Sequence, residues 1–184
     1  MIETKLPTRA EALDILVAAG CSKRVLDHSK AVSKFSAKLA KGFQAKGIDV
    51  DLHLVEIGGL LHDIGRSKTH TVDHGSIGGE VARSIGLPLP LVRIIERHVG
   101  GGIPKEEARR LGWPHRGYLP ETWEEKIVCY ADKRVEGLRV VSIQRAIRPY
   151  VARLGEKHPA IGRIMKLHDE IVAMVESCDH SNVA

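Results

Sequence analysis

The chain has 184 residues, of which 43% are hydrophobic and 28% charged, a composition typical of soluble globular proteins. This length suits one domain with a substantial core, and we predict a single domain over residues 1–184. The longest uncharged stretches, such as residues 84–92, are far too short to span a bilayer, so we expect no membrane segment. Residues 1–5 include an acid and open no apolar run, which predicts no secretory signal and a cytoplasmic protein.

The formal net charge of +5 favours anionic partners. Because Lys and Arg are dispersed and aromatic residues make up only 4% of the chain, a small phosphorylated anion fits at least as well as a nucleic acid, which we do not expect as a partner. The cysteines Cys21, Cys129 and Cys178 form no Cys-x-x-Cys motif and are predicted to be reduced and structural. The sequence leaves the oligomeric state open. Its unusual feature is histidine, with ten residues, more than Phe, Tyr and Trp combined.

Capping residues and helix breakers divide the chain into amphipathic segments. Thr8 and Glu11 form a capping box that opens the first helix, and Thr122 and Glu125 form a second box. No alternating strand pattern and no repeat is visible, so the predicted fold is an all-α bundle of roughly seven to nine helices. The predicted helices cover residues 8–19, 22–47, 49 or 51 to 61, 76–85, 90–99, 104–111, 122–135, 142–153 and 159–176.

The third of these helices is apolar nearly all round, which predicts a central position in the bundle. Gly58 and Gly59 within it would let a neighbouring helix approach closely. His62 and Asp63 follow directly at its end. The sequence therefore places a polar, metal-capable pair at the inner end of the central helix.

Further residues able to bind a metal occur at helix ends and on inward-facing stripes. Each alone has an ordinary explanation, since a lone histidine on an apolar face is usually a hydrogen-bonded core residue. A carboxylate at position 132, in the stripe of Val128 and Val135, is costly to bury unless it pairs with a cation or several donors. An arginine or lysine could be that partner, but a divalent ion explains the carboxylate and the histidines together. The candidates are His28, His62, Asp63, His74, His98 and Asp132.

The order of these residues resembles the signature of the HD-domain metal-dependent phosphohydrolases, in which a His, a His-Asp pair and a late Asp follow one another. Residues 62–65 match the His-Asp-Ile-Gly variant, and residues 59–65 and 125–133 are similar to the family's two best-defined blocks. The resemblance covers about residues 22–136 and implies the family's helical core, on which the helices of residues 142–176 would pack. A second pair, His168-Asp169, lacks downstream partners and is interpreted as a coincidence on a solvated helix edge.

Residues 74–78 resemble the His-x-x-x-Gly element of the two-metal members, among them cyclic-dinucleotide phosphodiesterases and diadenosine-tetraphosphate hydrolases. His98 resembles their next histidine. The chain lacks the His-His-Glu and Gly-Tyr-Pro elements that are usual in cyclic-dinucleotide enzymes. His70 competes with His74 for the second metal, and the Ile-Gly that follows residue 76 favours His74. The ligands implied are His28, His62, Asp63 and Asp132 for one metal and Asp63, His74 and His98 for the other, with Asp63 as the bridge.

The resemblance implies that a metal-activated water cleaves a phosphoester of a nucleotide or similar small phosphorylated substrate. Mixed His and Asp ligands favour one or two ions of Mn, Fe, Co, Ni or Zn over Mg. Asp63, Arg66 and Lys133 are the predicted catalytic residues, with Arg66 and Lys133 as contacts to the phosphate. A solvated cation in a loop is the alternative for Arg66.

Two other functions stay open at this point. The myo-inositol oxygenase group uses the same ligand arrangement with two iron ions, so fold and ligands do not separate an oxygenase from a hydrolase. The third hypothesis is a non-catalytic module that binds a nucleotide for regulation. The convergence of six metal ligands argues against it, because a pure binder does not need them.

Overall fold

The computed structural model describes residues 5–176, apart from the side chain of Glu176. This part contains nine α-helices, two short 3-10 helices and one small hairpin, so the predicted all-α fold is confirmed. None of its helices is long and apolar enough to cross a membrane. The single domain over 1–184 and the role of Cys178 extend beyond the described residues and stay predictions. The helices are α1 (Arg9–Ala18), α2 (Lys23–Gln44), α3 (Leu52–Leu61), α4 (His74–Ser84), α5 (Leu89–Arg97), α6 (Lys105–Arg110), α7 (Trp123–Arg134), α8 (Ile143–Leu154) and α9 (Pro159–Glu176).

Polar side chains cap the amino-terminal ends of α1 and α3. Thr8 accepts a hydrogen bond from the amide of Glu11, whose carboxylate accepts one from the amide of Thr8, so the predicted capping box is confirmed. Of the two candidate caps for α3, Asp51 rather than Asp49 accepts the hydrogen bond from the first turn.

The start of α7 differs from the prediction in one half of its cap. Thr122 accepts a hydrogen bond from the amide of Glu125, as expected. The carboxylate of Glu125 instead accepts from the amide of Glu121 and pairs with Arg97 at 2.8 Å. Glu125 is buried, and a buried carboxylate is best stabilised by a cation, so the second capping box is only half formed.

Two apolar clusters hold the helices together. The first lies between α2, α7 and α9 and includes Phe43, Val128 and Leu167. The second lies between α1, α3 and α5 and includes Leu16 and Leu60. Helix α3 contributes to both clusters and is buried on nearly all sides, as its sequence predicts. Its carboxyl end therefore opens into the interior of the bundle rather than into solvent.

Glycines allow the central helix to touch its neighbours. A Cβ atom on Gly59 would lie 2.7 Å from the Cα of Ser33 on α2, which is too close for any other residue. A Cβ on Gly58 would lie 2.7 Å from the Cδ1 of Ile94 on α5. The predicted close approach at these glycines is confirmed, and it brings the neighbouring helices within side-chain reach of the end of α3.

Two local features differ from the sequence predictions. Helix α4 begins at His74, two residues earlier than the predicted start at Ser76. After α7, strand β1 (Val135–Glu136) pairs antiparallel with β2 (Arg139–Val140), and Gly137 makes the turn with φ of +62°. Strands of two residues are too short to show alternation, which explains why the sequence predicted none.

Candidate metal centre

Five helices bring their ends or inner faces to one point. His28 comes from the first half of α2, and His62 caps the carboxyl end of α3, directly before Asp63. His74 is the first residue of α4, His98 caps the carboxyl end of α5, and Asp132 lies in the last turn of α7. All six predicted metal-binding residues therefore meet in one cluster, which we call the centre.

The side chains lie within ligand distance of one another. Around Asp132, the Oδ1 atom lies 3.1 Å from the Nε2 of His28 and 3.4 Å from that of His62. Around Asp63, the Oδ1 atom lies 3.3 Å from the Nε2 of His74 and 3.5 Å from that of His98. The two carboxylates are thus each faced by two imidazoles, and His62 also lies 3.7 Å from Asp63.

Three of the histidines are held in one orientation by the backbone. His62, His74 and His98 each place Nδ1 against the carbonyl oxygen three residues earlier, at 2.9, 2.6 and 2.7 Å. A carbonyl can only accept, so Nδ1 carries the proton and Nε2 keeps its lone pair. For His62 and His98 these carbonyls belong to the last turn of a helix, where they have lost their own amide partners. Such hydrogen bonds orient histidine ligands at metal sites.

The centre contains polar atoms that lack a partner within the described residues. The Nε2 of His62 and the Oδ1 of Asp63 are buried and accept no hydrogen bond. The Nε2 atoms of His74 and His98 face each other at 3.0 Å, although both carry lone pairs. Buried polar atoms are normally satisfied, so a ligand is needed here. A divalent cation fits, because every one of these atoms can donate an electron pair to it.

The pKa values of the two carboxylates and of His74 suit cation binding. Burial raises the pKa of Asp63, but His62 and His98 outweigh this effect and hold it well below its ordinary range. The pKa of Asp132 is likewise well below its ordinary range, since the charge of Lys133 and the hydrogen bond from His28 outweigh burial. Burial, together with the charge of His98, lowers the pKa of His74 to about 3. At neutral pH the centre thus offers two charged carboxylates and a neutral His74.

Two cations lie against the centre. Lys133 is buried and donates a hydrogen bond to Asp132, whose charge raises the pKa of the lysine against the effect of burial. Arg66 donates from Nε to the Oδ2 of Asp63 at 2.9 Å and from Nη2 towards the Nε2 of His74 at 3.3 Å. The arginine thus contacts two of the electron-pair donors of the centre.

A cavity of about 1020 Å³ opens onto the centre. Its lining includes His28, Asp63 and Asp132 of the centre and two exposed arginines, Arg110 of α6 and Arg153 of α8. Helix α8 contributes a large part of this wall, including Tyr150, although the family resemblance ends before it. These residues were not predicted from the sequence, where their only signal is the three arginines and the single tyrosine of α8.

Three other histidines lie outside the centre. His70 lines the cavity, but its contact to Arg66 is made by its backbone carbonyl, so His74 and not His70 joins the centre. His115 is exposed and lies outside the cavity wall. The expectation of a solvated edge at His168 is only partly right, because this ring is half-buried and stacks on Tyr130 with Nδ1 2.8 Å from the phenol oxygen.

The cysteines of the described part are free thiols, as the sequence predicts. Cys129 is fully buried on α7, and burial raises the pKa of its thiol to about 12. Cys21 is half-buried, and burial raises its pKa as well. Neither thiol is therefore activated, which leaves the centre to the histidines and carboxylates.

Comparisons with known proteins identify relatives that cover most of this chain. An uncharacterized protein of Methanocaldococcus jannaschii is 50% identical over 151 residues, which are 82% of this chain and 89% of the relative. A tRNA (cytidine(56)-2'-O)-methyltransferase of Picrophilus torridus is 38% identical over 90% of this chain, but the chain spans only 47% of that protein.

Among solved structures, the HD domain of the L. monocytogenes phosphodiesterase PgpH, in complex with cyclic-di-AMP, superposes with a TM-score of 0.54. The match covers 95% of this chain and 99% of that domain at 17% sequence identity, which establishes a common fold. The family model of the HD domain matches residues 25–135, the segment from α2 to the start of β1 that holds all six residues of the centre. The chain therefore belongs to the HD domain family.

Proposed function

We propose that this protein is a metal-dependent phosphohydrolase that cleaves a phosphoester of a nucleotide or a similar small phosphorylated substrate. The observation that carries the proposal is the centre itself. Three backbone-oriented imidazoles and two carboxylates converge there, and the Nε2 of His62 and the Oδ1 of Asp63 are buried without a partner. Membership of the HD domain family supports the same reaction class.

The residues divide into two sets of ligands that share Asp63. His28, His62, Asp63 and Asp132 would hold one ion, and Asp63, His74 and His98 would hold the other. Bound divalent ions would supply Lewis-acid polarisation of a phosphoryl oxygen and lower the pKa of a water molecule. Mixed imidazole and carboxylate donors favour Mn, Fe, Co, Ni or Zn over Mg.

The other residues of the centre have roles that follow from their contacts. Lys133 holds Asp132 in place and balances its charge, because the pair is buried together. Arg66 is partly exposed to the cavity, so once Asp63 and His74 bind metal its donors are free to bind a phosphate oxygen. Asp63 links the two ligand sets, so its orientation fixes both.

The charge of the cavity favours an anionic substrate. Two exposed arginines of its lining, Arg110 and Arg153, form no ion pair with any carboxylate of the described residues. The acidic lining residues outside the centre are already paired, Glu107 with Arg163 and Glu136 with Arg145. An anion in the cavity would therefore meet unpaired cations in addition to the centre. This feature favours phosphoester hydrolysis over the oxidation of a neutral substrate.

The test is metal analysis of the purified protein followed by a substrate screen with Mn, Fe, Co, Ni, Zn and Mg. Nucleoside mono-, di- and triphosphates, cyclic dinucleotides and bis(p-nitrophenyl) phosphate would be tested for phosphate or alcohol release. We expect metal-dependent hydrolysis that is lost in His62→Ala and kept in His115→Ala, a control in which an exposed histidine is removed. An iron-containing protein that consumes dioxygen would instead identify an oxygenase. Nucleotide binding without turnover under all metals would identify a regulatory module.

A further inference from the structure

A second large concavity lies on the surface along α2. We call it the α2 groove; its volume is about 1080 Å³. Its apolar floor consists of Ala31 and Phe35 of α2, Leu52 of α3 and the hairpin residues Leu138 and Val140. Leu138 is 69% exposed and Val140 49% exposed, which is unusual for side chains of this kind. The groove therefore presents apolar surface that the described part of the chain leaves uncovered.

A row of lysines lines the same groove. Lys30, Lys34, Lys38 and Lys41 are all exposed on one face of α2. At a rise of about 1.5 Å per residue, the row extends over roughly 16 Å. None of the four lies within ion-pair distance of a carboxylate in the described residues. The row of like charges thus has no ion-pair partner among these residues.

The carboxylates of the groove do not neutralise this row. Asp27 binds Lys23 at 2.7 Å, and Glu56 binds Arg9 at 2.8 Å. Both acids therefore already have a cation. Surfaces usually intersperse the two signs, so four unneutralised lysines above an apolar floor indicate a ligand with a row of negative charges and apolar faces.

We propose that the α2 groove binds a single strand of nucleic acid, with its phosphates along the lysine row and its bases on the apolar floor. Single-strand sites combine a cationic groove that follows the backbone with an apolar or aromatic surface for the bases. The ammonium group of lysine is a point charge without the planar fork of arginine, which suits contacts to phosphate that do not depend on sequence.

The lysines look dispersed in the sequence, which disfavoured a nucleic acid there. Two or three apolar or serine residues separate each lysine from the next over residues 30–41, and only the winding of the helix aligns them. The groove also adjoins the cavity of the metal centre. Val135 lines both, and the neighbouring residues Asp27 and His28 line the groove and the cavity respectively. The proposal nevertheless concerns binding alone and does not depend on hydrolysis.

The test is fluorescence anisotropy of a labelled 12-nucleotide single-stranded RNA of mixed sequence, titrated with the full chain between 50 and 300 mM salt. The test variant carries Lys30→Gln, Lys34→Gln, Lys38→Gln and Lys41→Gln, which keeps helix propensity. The control variant removes four exposed cations outside the groove, Arg93→Gln, Lys105→Gln, Lys157→Gln and Lys166→Gln. Circular dichroism and thermal melts check that both variants keep the fold.

We expect the groove variant to bind RNA about tenfold or more weakly at 100 mM salt, with a plot of log K against log salt that is less steep by about 2 to 3. The control should stay within about threefold of the unmutated chain. Leu138→Ser with Val140→Ser should weaken RNA binding without changing the salt slope. The matched exposed pair Val17→Ser with Ile85→Ser lies outside the groove and should not weaken RNA binding.

Three results would overturn the proposal. Equal losses in the two quadruple variants would mean that net charge alone attracts RNA. Absence of RNA binding by the unmutated chain at 50 mM salt would exclude the site. Tighter binding of an acidic amphipathic peptide or of phosphatidylserine vesicles than of RNA, lost in the groove variant, would assign the groove to that partner instead.

Discussion

The two halves of the metal centre differ in how firmly their side chains are held. We define the outer half as His28 with Asp132 and the inner half as His74 with His98. The side chains of the outer half are 20% and 14% exposed to the cavity, whereas those of the inner half are 7% and 0% exposed. Both inner imidazoles donate Nδ1–H to a carbonyl, but among the described residues His28 has no hydrogen bond at Nδ1.

This difference predicts which half binds its metal ion more firmly and which half the substrate can reach. The inner half is shielded and oriented by the backbone, so little reorganisation accompanies ion binding and the ion should be held tightly. The outer half faces the cavity and has Lys133 as a fixed cation beside Asp132, so it can meet an incoming phosphate. We therefore expect substrate contacts at the outer half and the more firmly bound ion at the inner half.

The largest effect is expected from Asp63, which joins the two halves. Asp63→Asn keeps the shape but removes the charge from both ligand sets. We expect bound metal to fall from near two ions per chain to near none and kcat/KM to fall at least about a thousandfold, roughly 4 kcal/mol. Elemental analysis and the phosphatase assay measure both. Asp169→Asn, which changes the exposed carboxylate of the second His-Asp pair, is the matched control and should change neither.

Removal of the inner half should leave the outer ion in place. The double variant His74→Ala and His98→Ala should retain near one ion per chain and lose at least about a hundredfold in activity. The matched double variant His70→Ala and His115→Ala removes two histidines outside the centre and should keep two ions. A saturating content of one ion in the unmutated protein would contradict the assignment of two ligand sets.

A smaller effect is expected at Arg66, which lies between the halves and the cavity. If it binds phosphate, Arg66→Ala should cost roughly 1.5–3 kcal/mol, about ten- to a hundredfold in kcat/KM, with bound metal unchanged. Arg66→Lys should restore part of the loss, because the ammonium keeps the charge without the fork. Lys68→Ala removes a neighbouring exposed cation as control. Unchanged kinetics in Arg66→Ala would mean that Arg66 is only a solvated loop residue. Loss of bound metal would mean that Arg66 positions the metal ligands instead.

Local chemistry made much of the fold predictable. The cap at Thr8, the apolar surface of α3 and the close approach at Gly59 each follow from residue types within one turn of helix. The half-formed cap at Glu125 did not follow, because the competing cation Arg97 lies on another helix. Features decided by distant partners leave no mark in the local sequence.

The same distinction applies to the candidate site. The six residues of the centre could be named from the sequence because they match the motif of the HD domain family. The ion pair of Lys133 with Asp132 joins adjacent residues, yet its burial depends on how α7 packs. The contribution of α8 to the cavity is invisible in the sequence, because no motif shows which face of this helix turns towards the centre.

The smallest effect is expected from a substitution at the contact of α2 with α3, which tests whether this contact sets the geometry of the outer half. In Gly59→Ala the new Cβ would lie 2.7 Å from the Cα of Ser33, and backbone atoms cannot yield as a flexible side chain can. We expect α2 to shift away from α3, at a cost of about 1–3 kcal/mol in the free energy of unfolding. This shift moves His28 but leaves the inner half, so the outer ion should weaken first.

Urea unfolding and metal titration measure the two effects. Gly162→Ala on α9 is the matched control, because its Cβ would meet nothing within 4 Å. It should stabilise the chain by about 0.5–1 kcal/mol through the better helix propensity of alanine and leave metal binding unchanged. If Gly59→Ala were as stable as the unmutated chain and kept both ions equally, the outer half would not depend on the close contact of α2 with α3. The difference between the halves would then rest on exposure alone.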